Sequence, residues 1–176
     1  MKLLIQSLLL LIATSAIAYD FPDGWRKATP EELESWPYTR EGSKSKYTEA
    51  HADFNGDGKI DSAYLLKSTR FSGQGLLVKL SSGNSYTWIE VHVINWDKLY
   101  PDEDFGNVSL SMGISVLSPK DVKKYIKESN IETSSDDLKP EDYQNPAIRY
   151  FAFGSAGSII YWSQSENQFK RYWYSD

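Results

Sequence analysis

Two apolar runs, 76–80 and 86–94, are separated only by Ser81, Ser82, Gly83, Asn84 and Ser85. A gap that short, made of turn residues, has no room for a crossover helix, so the runs return antiparallel as a hairpin. Over 86–94 the residue types alternate, with Ile89, Val91 and Val93 on one face and Trp88, Glu90 and His92 on the other. Successive side chains of a strand point to opposite faces, so this pattern predicts one face in the core and one in water. Residues 158–163 and 169–174 form a second hairpin around the turn of Gln164, Ser165, Glu166 and Asn167, and 147–153 supplies the strand before it. Further strands are expected at 47–52 and 63–67, and at 108–117 as one long strand or a pair.

Helical signals are fewer. Thr29 as N-cap, Pro30 at the first helical position and Glu32 closing a capping box open a short helix that Trp36 and Pro37 stop. Ser118, Pro119, Lys120 and Asp121 open another, carrying Val122, Tyr125 and Ile126 at helical spacing and ending near Asn130. Residues 132–145 are polar and contain proline, which reads as a surface loop. The expected fold is α+β, a mainly antiparallel β-sheet in a single domain with one or two short helices.

Residues 1–18 carry Lys2, an apolar stretch from Leu3 to Ile12 and small residues ending in Ala16, Ile17 and Ala18. That is the pattern of a secretory signal peptide cleaved after Ala18, leaving 19–176 as the mature domain, periplasmic or secreted. The stretch is far short of the roughly 20 residues that span a bilayer. The chain has no cysteine, hence no lipobox and no disulfide framework, and stability falls to the core or to a metal. Loss of Lys2 takes the net charge from -5 to -6, and the basic residues form no cluster. This argues against nucleic acid and anionic membrane surfaces as partners. Asn107, Val108 and Ser109 form a glycosylation sequon, which matters only in a eukaryotic host.

Residues 52–66 read ADFNGDGKIDSAYLL. With Asp53 as position 1, Asn55, Asp57 and Asp61 fall at positions 3, 5 and 9, Gly58 at 6 and the Lys59 carbonyl at 7. These are the odd-numbered ligand positions of a calcium loop, and a glycine at 6 permits the turn that converges them. An all-oxygen donor set without His or Cys suits calcium better than a transition metal. Three carboxylates crowded together would repel without a cation; the plainer alternative is an Asx/Gly turn with no ion. Position 12 is Tyr64, so the bidentate glutamate of an EF-hand is missing, and a strand follows instead of a helix. The segment resembles the calcium loops of FG-GAP repeats, in which Asp-x-Asn-x-Asp-Gly-x-x-Asp runs directly into a strand, and is similar to the dockerin loop over the same residues. One copy implies the loop alone, not a propeller. The resemblance implies Ca2+ in a structural role, held by Asp53, Asn55, Asp57, Lys59 and Asp61.

Other chemistry is thinly represented. His51 and His92 are the only histidines, and Glu49, His51 and Asp53 are expected on one strand face as solvated polar groups or support for the loop. No His-Glu-x-x-His or Gly-x-Ser-x-Gly pattern is present, and thiol catalysis is impossible. Gly154 to Gly157 lacks the lysine of a phosphate loop and reads as a bend. Asp102, Glu103 and Asp104 read as a solvated loop, or as a contact for a basic partner. The terminal run Phe169, Lys170, Arg171, Tyr172, Trp173 and Tyr174, with Tyr161 and Trp162, puts aromatics on both faces of a hairpin. Those left outside the core would suit sugar stacking or a protein hot spot. No catalytic residue and no organic cofactor are expected.

The function expected first is an exported, non-catalytic, calcium-binding protein that binds a protein partner. In size, export signal and lack of a catalytic motif it resembles the periplasmic inhibitor and immunity proteins of bacteria. A carbohydrate-binding module, with a glycan as ligand, comes second. A glycoside hydrolase comes third, requiring two Asp or Glu carboxylates about 5 to 9.5 Å apart in a cleft.

Overall fold

The computed structural model describes residues 21–34, 44–104, 108–128 and 143–175. The signal peptide, the helix stop at Trp36 and Pro37, the helix end near Asn130, most of the 132–145 loop and the sequon residue Asn107 lie outside the described residues.

The front sheet contains β1 (Trp25–Arg26), β2 (Glu49–Ala52), β3 (Asp61–Ser68), β4 (Gly73–Ser82) and β5 (Ser85–Asn95). Its order is β1-β3-β4-β5, with β2 also paired to β3. The back sheet runs β6 (Met112–Leu117), β7 (Ala147–Ala152), β8 (Gly157–Ser163) and β9 (Gln168–Ser175) in sequence order. Every pairing is antiparallel. Three helices, α1 (Pro30–Glu34), α2 (Trp96–Leu99) and α3 (Pro119–Glu128), and a 3-10 turn (Lys44–Tyr47) complete the described elements. Among the described residues no helix is long and apolar enough to cross a membrane.

The sheets pack face to face. Ala50, Ala63, Leu65, Leu76 and Val78 from the front meet Ile114, Ile148, Tyr150 and Ile160 from the back in one buried cluster. Strands β2 and β3 lie against β6 on one side of this sandwich. The outer face of the back sheet is covered by α3, whose Val122 packs with Leu117, Ala147, Ile159, Tyr161 and Tyr172. Strand β8 is therefore buried along its whole length, with Ile160 in the central cluster and Ile159 and Tyr161 in the one under α3. The front sheet's outer face carries a smaller layer of Phe21, Trp25 and Trp88 over Tyr64, Leu66 and Leu77.

The expected hairpin closes through Gly83 and Asn84, with Ser82 opposite Ser85. Its alternation does not run through to the end. Leu77 pairs with Glu90 but Leu76 with His92, so Val91 is an extra residue in β5. A bulge reverses which face the following residues meet. Trp88 and Glu90 stay outside, and Glu90 accepts a hydrogen bond from the Trp25 indole (2.9 Å). His92 turns inward to Tyr150, while Val93, expected in the core, is 38% exposed. The strand expected over 108–117 begins only at Met112. Before it, the Leu110 N–H donates to the Glu32 carbonyl (3.1 Å) and the Ser111 N–H to Gln74 Oε1 (2.8 Å), so these amides are satisfied away from a ladder.

The capping box at α1 forms as expected: the Thr29 N–H donates to Glu32 (2.7 Å), and the Glu32 N–H approaches Thr29 Oγ1 at 3.4 Å. Ser118 and Asp121 make the equivalent exchange at α3, at 3.2 Å in each direction. The single-turn α2 has no marked sequence signal; Asn95 caps it by accepting the Lys98 N–H (3.0 Å). The buried Glu32 carboxylate also takes both ends of the Arg26 guanidinium, each at 2.7 Å. That pairing with Arg26 holds the Glu32 carboxyl below its usual range. Nearby Lys67 is buried and donates to the Val108 carbonyl. Burial pushes the Lys67 pKa down, partly offset by Glu32.

Candidate functional site

The acidic loop joins β2 to β3 and is organised by its first residue. Asp53 Oδ1 accepts the N–H groups of Gly56 (2.7 Å) and Asp57 (3.1 Å), and Oδ2 accepts that of Gly58 (2.8 Å). Three successive donors on one carboxylate draw the chain into a ring, which needs left-handed backbone at Gly56 (φ +78°) and Gly58 (φ +82°). A side chain on Gly56 would in addition meet the Asn145 amide at 2.6 Å. Asn55 Oδ1 accepts the Asp57 N–H (3.1 Å), and Asp57 Oδ1 accepts the Lys59 N–H (2.9 Å).

Asp61 closes the loop from its other end. It is fully buried, and its two oxygens accept the N–H groups of Phe54 (3.0 Å) and Ser81 (2.8 Å). Burial raises its carboxyl pKa against the lowering effect of these amides. From the back sheet, Gln164 Nε2 donates to the Asn55 carbonyl (2.6 Å). The loop is therefore tied to β4 and to the β8–β9 turn, across both layers.

The donor set fits a hard cation. Asp53, Asn55 and Asp57 are linked through backbone amides of one short loop, with the Lys59 carbonyl two residues on, and each acceptor oxygen has more than one lone pair to offer. Among the described residues no group of three or more Asp, Glu or His side chains is placed to hold a metal ion. An ion at this loop would thus depend on the Asn55 amide and the Lys59 carbonyl beside the carboxylates of Asp53, Asp57 and Asp61. Tyr64, at position 12, packs against Phe21 and Trp88 on the outer face, at centroid separations of 5.4 and 5.7 Å.

The remaining candidates scatter. Glu49 and His51 do share a face, 3.8 Å apart, with His51 Nδ1 2.9 Å from Ser62 Oγ. Asp53, expected beside them, is instead turned into the loop. Gly154 to Gly157 forms a bend closed by the Ala152 N–H on the Ala156 carbonyl (2.9 Å). Asp102, Glu103 and Asp104 are exposed beyond α2. The terminal strand does present aromatics to both faces, but Tyr172 and Tyr174 are under α3, and it is Trp173 that stays 46% exposed.

A cleft of about 350 Å³ opens between the edge strands β5 and β9, lined by His92, Ile94, Met112, Tyr150, Arg171 and Trp173, with two alanines. Tyr150 is buried, with its hydroxyl 3.1 Å from His92 Nδ1. Arg171 Nε donates to Ser158 Oγ (2.9 Å), and the guanidinium lies 3.7 Å from the Trp173 ring centroid and 5.1 Å from that of Tyr150. Burial pushes the Tyr150 phenol up to about 12 and the Arg171 pKa down. His92 is lowered by burial and then by Arg171. Neither Gln74, which lies beside Tyr150, nor Tyr150 itself carries a sequence signal. Arg171 stands out only as a charge at an inward position between Phe169 and Trp173. Comparison with protein-family models, curated proteins and solved structures finds no match to this chain.

Proposed function

We propose that this chain is an exported, non-catalytic α+β protein that binds a protein partner, with calcium at the 53–61 loop in a structural role. The observation that carries the reading is the unequal cover of the two outer faces. Helix α3 seals the back sheet, whereas the front sheet presents Tyr86 (41% exposed) next to half-buried Trp88, with Lys79 Nζ 3.7 Å from the Tyr86 ring centroid. Rigid aromatics and a cation on a flat sheet have the composition of an interface hot spot. An enzyme inhibitor or immunity protein of the periplasm is the nearest functional analogy.

At the loop, Asp53, Asn55, Asp57, the Lys59 carbonyl and Asp61 would hold the ion, with Asp61 also bracing the ring through Phe54 and Ser81. Bound calcium supplies fixed positive charge between the crowded carboxylates. It would fasten a loop that already touches both layers.

The test is capture from periplasmic and secreted extracts with the mature chain from Tyr19 as bait, beside a Tyr86→Ser, Trp88→Ser double variant, in calcium and in chelator. One protein held in stoichiometric amount by the unaltered chain and lost with the variant supports the reading. A protein held equally by both, or none at all, overturns it, and retention of polysaccharide alone transfers the face to glycan binding.

A further inference from the structure

The cleft between β5 and β9 gathers hydrogen-bond donors, and its described lining residues include no carboxylate to match them. Arg26 and Arg70 pair with Glu32 and Asp23, but among the described residues no carboxylate pairs with Arg171, although the whole chain is acidic. Its Nε is spent on Ser158 and one face of its plane on Trp173, and among the described residues no hydrogen-bond partner meets the fork of its two Nη groups. Beside Tyr150, Gln74 is 1% exposed; its Oε1 accepts from Ser111, yet among the described residues its Nε2 has no hydrogen-bond partner. Natural cores rarely leave such a group unmatched. The Gln74 amide and the His92 ring both adjoin the Tyr150 hydroxyl. Where His92 Nδ1–H donates to the phenol oxygen, the phenol proton is free to be given to an acceptor in the cleft.

The rest of the lining defines the body of the ligand. Ile94, Met112 and the exposed Trp173 are apolar, and the cleft is small. A single guanidinium matches a monoanion, and its planar fork matches the two oxygens of a carboxylate. We propose that this cleft binds a small organic acid, its carboxylate met by Arg171 and the Tyr150 hydroxyl and its aromatic or branched aliphatic body held between Ile94, Met112 and Trp173. This site is separate from the proposed partner face, because the cleft opens between the sheets and the row of Tyr86 and Trp88 lies outside them.

The experiment titrates the calcium-supplemented mature chain with benzoate, 4-phenylbutyrate and hexanoate, and with the neutral amide of each, by calorimetry and by NMR of the Arg171 Nε–H. At least one acid should bind about tenfold or more tightly than its amide, a difference of about 1.4 kcal/mol, and shift the Nε–H signal. Arg171→Gln should reduce the acid to the affinity of its amide, while Trp173→Ala should weaken acid and amide alike. No acid preferred over its amide, or an acid whose affinity survives Arg171→Gln, overturns the proposal. Should Arg171→Gln fail to fold, the acid-against-amide comparison on the unaltered chain decides by itself.

Discussion

At the loop end of the sandwich the consecutive residues 53–61 satisfy one another's backbone amides, while at the cleft end Gln74, His92, Tyr150 and Arg171 arrive from four different strands. The loop carboxylates accept from N–H groups within reach of their own chain, and Asp61 extends the ties to β4. Among the described residues, the Gln74 amide beside Tyr150 is a buried donor without an acceptor, and Arg171 in the cleft lining has no carboxylate partner. Local polar closure braces a fold; a surplus of donors in an apolar setting is matched only when something else is present. Substitutions should therefore damage stability at the first end and ligand response at the second.

The Arg26–Glu32 pair belongs to neither end and gives the yardstick. Glu32→Ala would leave Arg26 and buried Lys67 without their carboxylate, a loss of about 3–5 kcal/mol measured by urea unfolding. Because the pairing with Arg26 holds the folded Glu32 carboxyl below the ordinary glutamate range, its stabilisation is present above that range and lost as pH falls through the folded value. A Glu32→Gln chain should show less acid destabilisation in that window, and an unchanged slope would remove the pair from the explanation. Asp61→Ala orphans two amides and should lose about 2–4 kcal/mol, with or without calcium. If the loss were confined to calcium-containing buffer, Asp61 would be a ligand first and a brace second. Asp57→Ala should cost little in chelator and abolish stabilisation by calcium, which is about 2.7 kcal/mol at 100-fold over Kd. Smallest of all, Trp173→Ala should change unfolding by less than about 1 kcal/mol, because its ring is half exposed. A large loss there would mean that the cleft wall is core, and the contrast between the two ends would fail.

What could be read from residue order follows the same division. The hairpin at Gly83 and Asn84, the capping residues Thr29 and Ser118, and the glycine-punctuated ring at Asp53 are all short-range signals, and each element formed where its residues placed it. The bulge at Val91 was not legible, because it depends on how β5 registers against β4, and strict alternation put His92 in water and Val93 in the core. The late start of β6 depends on side-chain and helix acceptors 37 or more residues away in sequence. The cleft needed both sheets in place before His92 and Arg171 could face each other, so no window of sequence contained it.

Differential scanning calorimetry of the mature chain, in about 10 mM calcium and again in chelator, addresses the loop most directly. That concentration exceeds even the weakest extracellular calcium modules, with Kd of about 10⁻³ M. Calcium should raise Tm by a few degrees in the unaltered chain and leave Asp57→Ala unmoved. Coincident melting curves for the unaltered chain would contradict a calcium ion at Asp53, Asn55, Asp57, Lys59 and Asp61, and would leave the ring of amides around Asp53 as an ordinary turn.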